Sequence, residues 1–104
     1  MTYPNPTTYT LPSAQKIRVS SRCRFVLVRE NLDAQFQENQ KPFIVKRSDK
    51  LDVVWNQYNL LRDRVDTIID QAEGTFMYWF NGRHEVVDIR TGVTLRTAEA
   101  GQRP

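Results

Sequence analysis

Few side chains in this 104-residue sequence belong to the chemical types that catalysis or metal binding requires. His84 is the only histidine, and it follows an Asn81-Gly82 pair typical of a hairpin turn, with Glu85 expected on the opposite face of the strand. A metal site needs several convergent ligands and a general base needs a partner, and the sequence indicates neither around His84. We therefore interpret His84 as a solvent-exposed turn residue and predict no enzyme activity, no metal and no cofactor.

Acidic residues form the most regular charged pattern, within residues 48–74. Together with Asn56 and Asn59 they recur at spacings of three and four, which would place them on one side of an α-helix. Such a stripe could dock onto a basic partner with salt-dependent rates, although it also suits the solvated side of an amphipathic helix. The predicted partner-binding acidic helix face consists of Asp52, Asp63, Asp66, Asp70 and Glu73.

Basic residues are concentrated in residues 15–29, which contain no acidic residue. Lysine and arginine neutralise phosphates, while exposed aromatic rings stack on unpaired bases. The alternative hypothesis is therefore a nucleic-acid-binding module that uses this segment and the aromatic strand 75–80. Its predicted contact residues are Lys16, Arg18, Arg22, Arg24, Tyr78 and Trp79. The same bases could instead form a solvated sheet edge that resists aggregation.

The charge balance decides between the two hypotheses by a small margin. The formal net charge is +3, and residues 49–73 hold six acids and three bases, a local charge of −3. The remainder holds six acids and twelve bases, which gives +6. Because +3 is small for a polyanion binder and the predicted helix is negative, the charge distribution favours a protein partner.

A long helix is the element that would position the acidic residues. The apolar residues of 48–74 also step by three and four, and two further residues widen this stripe into a face that could cover a sheet. They are Leu51, Val54, Tyr58, Leu61, Val65, Ile68 and Ala72, widened by Trp55 and Ile69.

Strands are predicted on both sides of this helix. Alternation at Ile17 and Val19, the β-rich segment 23–30 and the segment 42–47 indicate two or three N-terminal strands. Residues 75–97 indicate a three-stranded meander with turns at Asn81-Gly82 and Thr91-Gly92. One face would carry Phe76, Tyr78, Phe80, Glu85, Val87 and Ile89, and the other Met77, Trp79, Val86, Val93 and Leu95. A single helix covers one face, so the second must meet the N-terminal strands, another subunit or a ligand.

These patterns predict an α+β fold in which an antiparallel sheet packs against one long amphipathic helix. Residues 1–13 are interpreted as a flexible Pro/Thr-rich arm, 14–97 as a single domain and 98–104 as a flexible tail.

The predicted function is that of a small non-catalytic binding or regulatory protein. It would occupy a partner protein surface in the manner of a regulator or inhibitor, with a homodimer as one expected form. A single cysteine and the lack of an apolar run of about 20 residues predict a cytoplasmic protein without a membrane partner.

Overall fold

The computed structural model describes residues 6–31, 41–58, 64–99 and 101–103. Within these ranges the chain forms eight strands and one short helix. In chain order the elements are β1 (Thr7–Thr10), β2 (Lys16–Val19), β3 (Phe25–Asn31), β4 (Phe43–Ser48), α1 (Leu51–Trp55), β5 (Arg64–Asp70), β6 (Thr75–Phe80), β7 (Arg83–Asp88) and β8 (Thr94–Ala98).

Two antiparallel sheets account for the strands of the described ranges. The large sheet has the order β4-β3-β5-β6-β7-β8, so β4 and β8 are its edges. Strands β1 and β2 pair only with each other and form an N-terminal hairpin. This hairpin packs on one side of the large sheet, the hairpin side, while α1 packs on the opposite helix side.

Each side of the large sheet has its own apolar core. Alternation along a strand sends successive side chains to opposite sides, which divides the buried residues into two groups. The hairpin side buries Leu11, Ile17, Val19, Val26, Val28, Ile69 and Phe76, and the helix side buries Phe25, Leu27, Val54, Ile68, Met77 and Val86. In segment 23–30, Val26 and Val28 lie on the hairpin side and Phe25 and Leu27 on the helix side.

The turn between β6 and β7 has the predicted form. Asn81 and Gly82 have φ values of 53° and 78°, and a type I′ turn requires positive φ at both central residues. The two-residue loop fixes the register, with Tyr78 opposite Glu85 and Met77 opposite Val86, as the sequence predicts.

The long amphipathic helix is the main prediction that the structure contradicts. Helix α1 covers only Leu51–Trp55, and Arg64–Asp70 form the strand β5 in the interior of the large sheet. Residues 59–63, including Leu61 and Asp63, lie outside the described ranges. The protein is therefore predominantly β, and the α+β classification with a sheet-covering helix is wrong.

Strand β5 explains why the periodicity was misleading. Residues 66–70 are all buried, because β5 lies between β3 and β6 and is covered on both sides. A strand buried on both sides has no simple alternation, and such apolar runs cannot be separated from helix by periodicity. A spacing of four also places Asp66 and Asp70 on one side in a strand as well as in a helix. The β-branched residues Val65, Thr67, Ile68 and Ile69 are the local signal that favours the strand.

The terminal segments contribute to the packing where they are described. Residues 7–10 of the predicted arm form β1, and Leu11 is only 2% exposed. Near the other terminus, Arg103 forms an ion pair with Asp52 of α1.

Strand β8 departs from the predicted meander. Thr94 lies opposite Val87 and Arg96 opposite Val86, so Leu95 is an extra residue in a β-bulge. Val93 and Leu95 are 57% and 49% exposed and do not join the core with Met77 and Val86. The predicted register, which placed Leu95 on one face with Met77 and Val86, is therefore wrong for β8, because the bulge puts Arg96 opposite Val86 instead.

Candidate functional site

The four described residues of the predicted acidic face, Asp52, Asp66, Asp70 and Glu73, are held in separate ion pairs. Asp66 is opposite Arg29 in the pairing of β5 with β3. Arg29 donates two hydrogen bonds to its carboxylate, Nε to Oδ1 at 2.8 Å and Nη2 to Oδ2 at 2.9 Å, and the Asp66 side chain is 0% exposed. Burial without a charged partner would be costly, so the arginine is what permits a carboxylate at this position.

Asp70 is fixed in a similar way at the end of the same strand. The guanidinium of Arg24 donates to both of its carboxylate oxygens at 3.0 Å, and the backbone N–H groups of Ala72 and Glu73 donate to Oδ1. Asp70 therefore closes the turn that leads into β6, while it also anchors Arg24, one of the predicted nucleic-acid contacts.

The remaining predicted acidic contacts lie on other elements. Glu73 accepts two hydrogen bonds from Arg96 of β8, and Asp52 pairs with Arg103. Asp63 is outside the described ranges. Since these side chains share no helix face and the four described ones are neutralised within the chain, no acidic docking stripe supports the predicted mode of binding.

The predicted basic contacts are partly brought together. Lys16 and Arg18 lie on the outer face of the N-terminal hairpin, because the intervening Ile17 points into the core. Arg22 is exposed in the connection between β2 and β3. Among the described residues, no carboxylate lies within ion-pair distance of Lys16, Arg18 or Arg22.

The two predicted aromatic contacts lie on opposite sides of the large sheet. Tyr78 packs against the hairpin-side core, while Trp79 contacts His84 on the helix side with ring centroids 4.8 Å apart. A single nucleic-acid surface cannot use both rings, so only Tyr78 lies on the same side of the sheet as Lys16 and Arg18.

His84 is buried, which contradicts its interpretation as an exposed turn residue. It is 1% exposed and is surrounded by three aromatic rings at centroid distances of 4.8 Å (Trp79), 5.1 Å (Trp55) and 5.5 Å (Tyr58). Its pairing with Trp79 places the imidazole on the helix side, where α1 and the following turn cover it. The predicted helix included residues 51–55, but the sequence does not show which side of the sheet they cover, and this is why the burial of His84 could not be predicted.

The environment of His84 favours the neutral imidazole. Among the described residues, neither ring nitrogen has a hydrogen-bond partner, and the Tyr58 hydroxyl is also buried without one. Burial lowers the pKa of His84. Burial, and secondarily the negative charge of Asp66, raise the pKa of Tyr58. A neutral, enclosed histidine without an orienting partner has the features of a structural residue rather than of a general base.

An open groove lies on the hairpin side, where the N-terminal hairpin leaves part of β6 and β7 uncovered. Its volume is about 240 Å³. The floor and walls come from residues of β6, β7 and the turn after β7 and from the N-terminal hairpin: Phe76, Tyr78, Val87, Asp88, Ile89, Gly92, Thr10 and Pro12. Phe80 continues the row of Phe76 and Tyr78 toward the turn, is 52% exposed, and meets the Tyr78 ring at a centroid distance of 6.4 Å. The groove therefore has a mixed polar and apolar lining, with two aromatic rings, Phe76 and Tyr78, in it and a third, Phe80, beyond its end.

Cationic side chains flank this groove. Lys16 lies opposite Thr10 in the N-terminal hairpin, and Arg90 is exposed in the turn between Ile89 and Gly92. The nearby acids are engaged: the Asp88 carboxylate accepts the backbone N–H groups of Arg90 and Thr91 at 2.8 and 3.1 Å.

Glu85, the other acid beside the groove, is mostly buried. Its carboxylate lies 3.5 Å from the guanidinium of Arg83. Burial, and secondarily Glu85, raise the pKa of Tyr78, so this phenol remains neutral.

Sequence reasoning identified Lys16 and Tyr78 but missed Phe80 and Arg90 as neighbours of one groove. The predicted register already placed Phe80 beside Tyr78, and this signal could have found it. The proximity of Arg90 to the groove depends on where the hairpin stops, which no local pattern encodes.

Other types of site find no support in the described residues. No group of three or more histidine, cysteine or acidic side chains in these ranges could hold a metal ion. Helix α1 is far too short to cross a membrane, and no other helix in the described part of the chain could do so.

Comparison with known proteins adds no relative. No protein-family model matches the chain, and neither the curated proteins nor the solved structures include a significant match.

Proposed function

We propose that this chain is a non-catalytic protein that works by contact with a protein surface, and that β8 is its contact element. The observation that carries this proposal is an edge strand with a large exposed apolar side chain, Leu95, and a second one, Val93, immediately before its first residue. An edge strand presents N–H and C=O groups that can pair with a strand of another chain.

The two edges of the large sheet differ in charge. Strand β4 carries exposed Lys46 and Arg47, and such cations discourage pairing between chains. The charged residue of β8 is Arg96, which is neutralised by Glu73 with a hydrogen bond of 2.6 Å. Strand β8 is therefore the edge where a second strand meets less repulsion.

A second copy of this chain is the partner that β8 fits. Two copies of an edge strand can pair antiparallel about a two-fold axis, so that one surface serves both subunits. Leu95 and Val93 would lose solvent exposure in such a dimer, at a gain of about 25 cal/mol for each Å² of apolar area buried. A regulator or inhibitor of this type would act by covering a partner's edge strand and would need no catalytic group.

Sedimentation velocity over a concentration series tests the proposal. The series should reach about 1 mM, because a dimer with a dissociation free energy of only about 4 kcal/mol is substantially formed at that concentration. We expect a concentration-dependent dimer that Leu95→Lys abolishes. The matched control is Phe43→Lys on β4, because Phe43 is 53% exposed and Leu95 49%. A monomer at every concentration, or a dimer that survives Leu95→Lys and not Phe43→Lys, would overturn the assignment of β8.

A further inference from the structure

We propose that the groove between the N-terminal hairpin and β6–β7 binds unpaired nucleic acid, with bases on the aromatic floor and phosphates at Lys16 and Arg90. This site is separate from the β8 edge and does not depend on self-association. Its residues overlap only in part with those that the sequence predicted, since Trp79 and Arg24 are committed elsewhere in the fold.

The shape of the groove favours a chain-like ligand over a small molecule. Its volume of about 240 Å³ falls below the range of about 300–1,000 Å³ that is usual for small-molecule sites. Phe80 extends the aromatic surface beyond the groove and is half exposed. A ligand that follows the row from Phe76 to Phe80 would therefore enter and leave the groove.

The aromatic rings favour unpaired bases. Tyr78 and Phe80 stand on the same side of β6, two residues apart, so each can offer part of its ring to a separate base. Sheet-borne aromatic residues stack bases in single-stranded nucleic acids, whereas the bases of a duplex are already stacked on one another. Phe76, Val87 and Ile89 carry no hydrogen-bonding side-chain group that could read a base edge, so we expect little sequence preference.

The charges around the groove favour a polyanion, because three exposed cations outnumber the one acid in its lining, Asp88, whose carboxylate is already held by two backbone N–H groups. Lys16 on the hairpin and Arg90 on the β7–β8 turn are exposed on the two flanks, and Arg18 extends the positive surface along the hairpin. None of the three is in an ion pair with another described residue. An acidic peptide would satisfy these cations, but it would make no use of the aromatic rings.

The salt dependence can be stated in advance. For single strands, each phosphate contact contributes about −0.7 to the slope of the logarithm of the affinity against the logarithm of the salt concentration. Three contacts therefore predict a slope of about −2. Between 50 and 200 mM salt the affinity should therefore fall roughly 20-fold. A ligand held by stacking alone would lose almost nothing.

Fluorescence anisotropy with a labelled oligothymidine, using the full chain, tests the site. Phe80→Ala should weaken binding about 5- to 150-fold, which is the effect of removing one stacked base. The matched control is Phe43→Ala, because Phe43 is equally exposed but lies on the helix side of the β4 edge. Lys16→Gln combined with Arg90→Gln should reduce the salt slope by about 1.4. Lys50→Gln, an exposed position at the start of α1, should reduce neither affinity nor slope appreciably.

Several outcomes would overturn the proposal. One is that the chain fails to bind oligothymidine at 50 mM salt, and another is that Phe80→Ala and Phe43→Ala weaken that binding equally. A third is that the Lys16→Gln and Arg90→Gln double variant shows the same salt slope as the native chain. If a labelled oligoglutamate peptide bound as tightly as oligothymidine, the groove would be an acidic-peptide site. If a duplex of the same length bound more tightly than oligothymidine, the contact would not involve the aromatic rings. Each result is independent of the oligomeric state, so failure here leaves the β8 proposal to its own test.

Discussion

Arg29 and Asp66 face each other across neighbouring strands, joined by two hydrogen bonds of 2.8 and 2.9 Å. The carboxylate is wholly enclosed, and the guanidinium is only 15% exposed. Arg29 also donates to the backbone carbonyl of Gln57 just after α1, so one side chain ties β3, β5 and the helix region together.

Arg29→Met should therefore strongly destabilise the fold. The change removes the two hydrogen bonds and the positive charge that Arg29 provides to the buried Asp66 carboxylate, and losing one member of a buried pair typically costs about 3–5 kcal/mol of unfolding free energy. Urea denaturation at neutral pH measures this loss. The control is Arg96→Met, which breaks the more exposed pair with Glu73 and should cost less than about 1 kcal/mol. Equal costs for the two variants would show that the Arg29 pair has no special role in the core.

This pair also shows where sequence patterns were insufficient. The spacing between Asp66 and Asp70 fits one side of a helix and one side of a strand equally well, so periodicity could not distinguish them. The partner of Asp66 lies 37 residues earlier in the chain, and no local pattern connects the two. The β6–β7 hairpin could be predicted because Asn81 and Gly82 define its turn and its register locally.

The same distinction applies to the candidate sites. Tyr78 and Phe80 could be placed on one face by alternation, and Lys16 and Arg18 on another. Their position around one groove depends on how the N-terminal hairpin lies across the sheet, which is fixed by core packing between residues far apart in sequence. The burial of His84 had to be missed for the same reason.

The folding stability should decrease as the pH falls below about 6.5, in part because of His84. Burial lowers the pKa of His84 from its ordinary value of 6.5, so the unfolded chain binds the proton first. The stability that neutral His84 contributes is therefore fully present above the pKa of His84 in the unfolded chain. It is lost as the pH falls from that value through the lower pKa of His84 in the folded chain. The rings of Trp55, Tyr58 and Trp79 that contact it carry no charge at this pH.

Urea denaturation at several pH values between 7.5 and 5 compares the native chain with His84→Phe. Glu30 must be considered in the same range, because burial raises its pKa from 4.5 and acidification through that region favours its folded form. The native chain should lose more stability on acidification than the variant, since Glu30 is common to both. Parallel pH profiles would show that His84 does not take up its proton on unfolding in this range.

Gly82→Ala should destabilise the chain by about 1 kcal/mol, the usual cost of a left-handed conformation for a residue with a Cβ. The φ of Gly82 is 78°, and an added Cβ would meet no atom within 4 Å, so the cost is conformational rather than steric crowding. Asn81→Gly is the control, because glycine adopts the required φ of 53° freely and should change the stability by only a few tenths of a kcal/mol. Thermal or urea unfolding measures both changes, and a neutral Gly82→Ala would argue against the type I′ turn.

The two proposed surfaces should respond to mutation independently. Phe80 projects on the hairpin side of β6, whereas Leu95 lies in the bulge of the edge strand β8 and is separated from β6 by β7. Side chains that share no partner usually contribute additively, so Leu95→Lys should abolish dimerisation while the affinity for oligothymidine per chain stays within about twofold. Phe80→Ala should weaken oligothymidine binding and leave the sedimentation profile unchanged. If Leu95→Lys weakened both, the nucleic-acid surface would have to span two subunits, and the groove of one chain would be only part of the site.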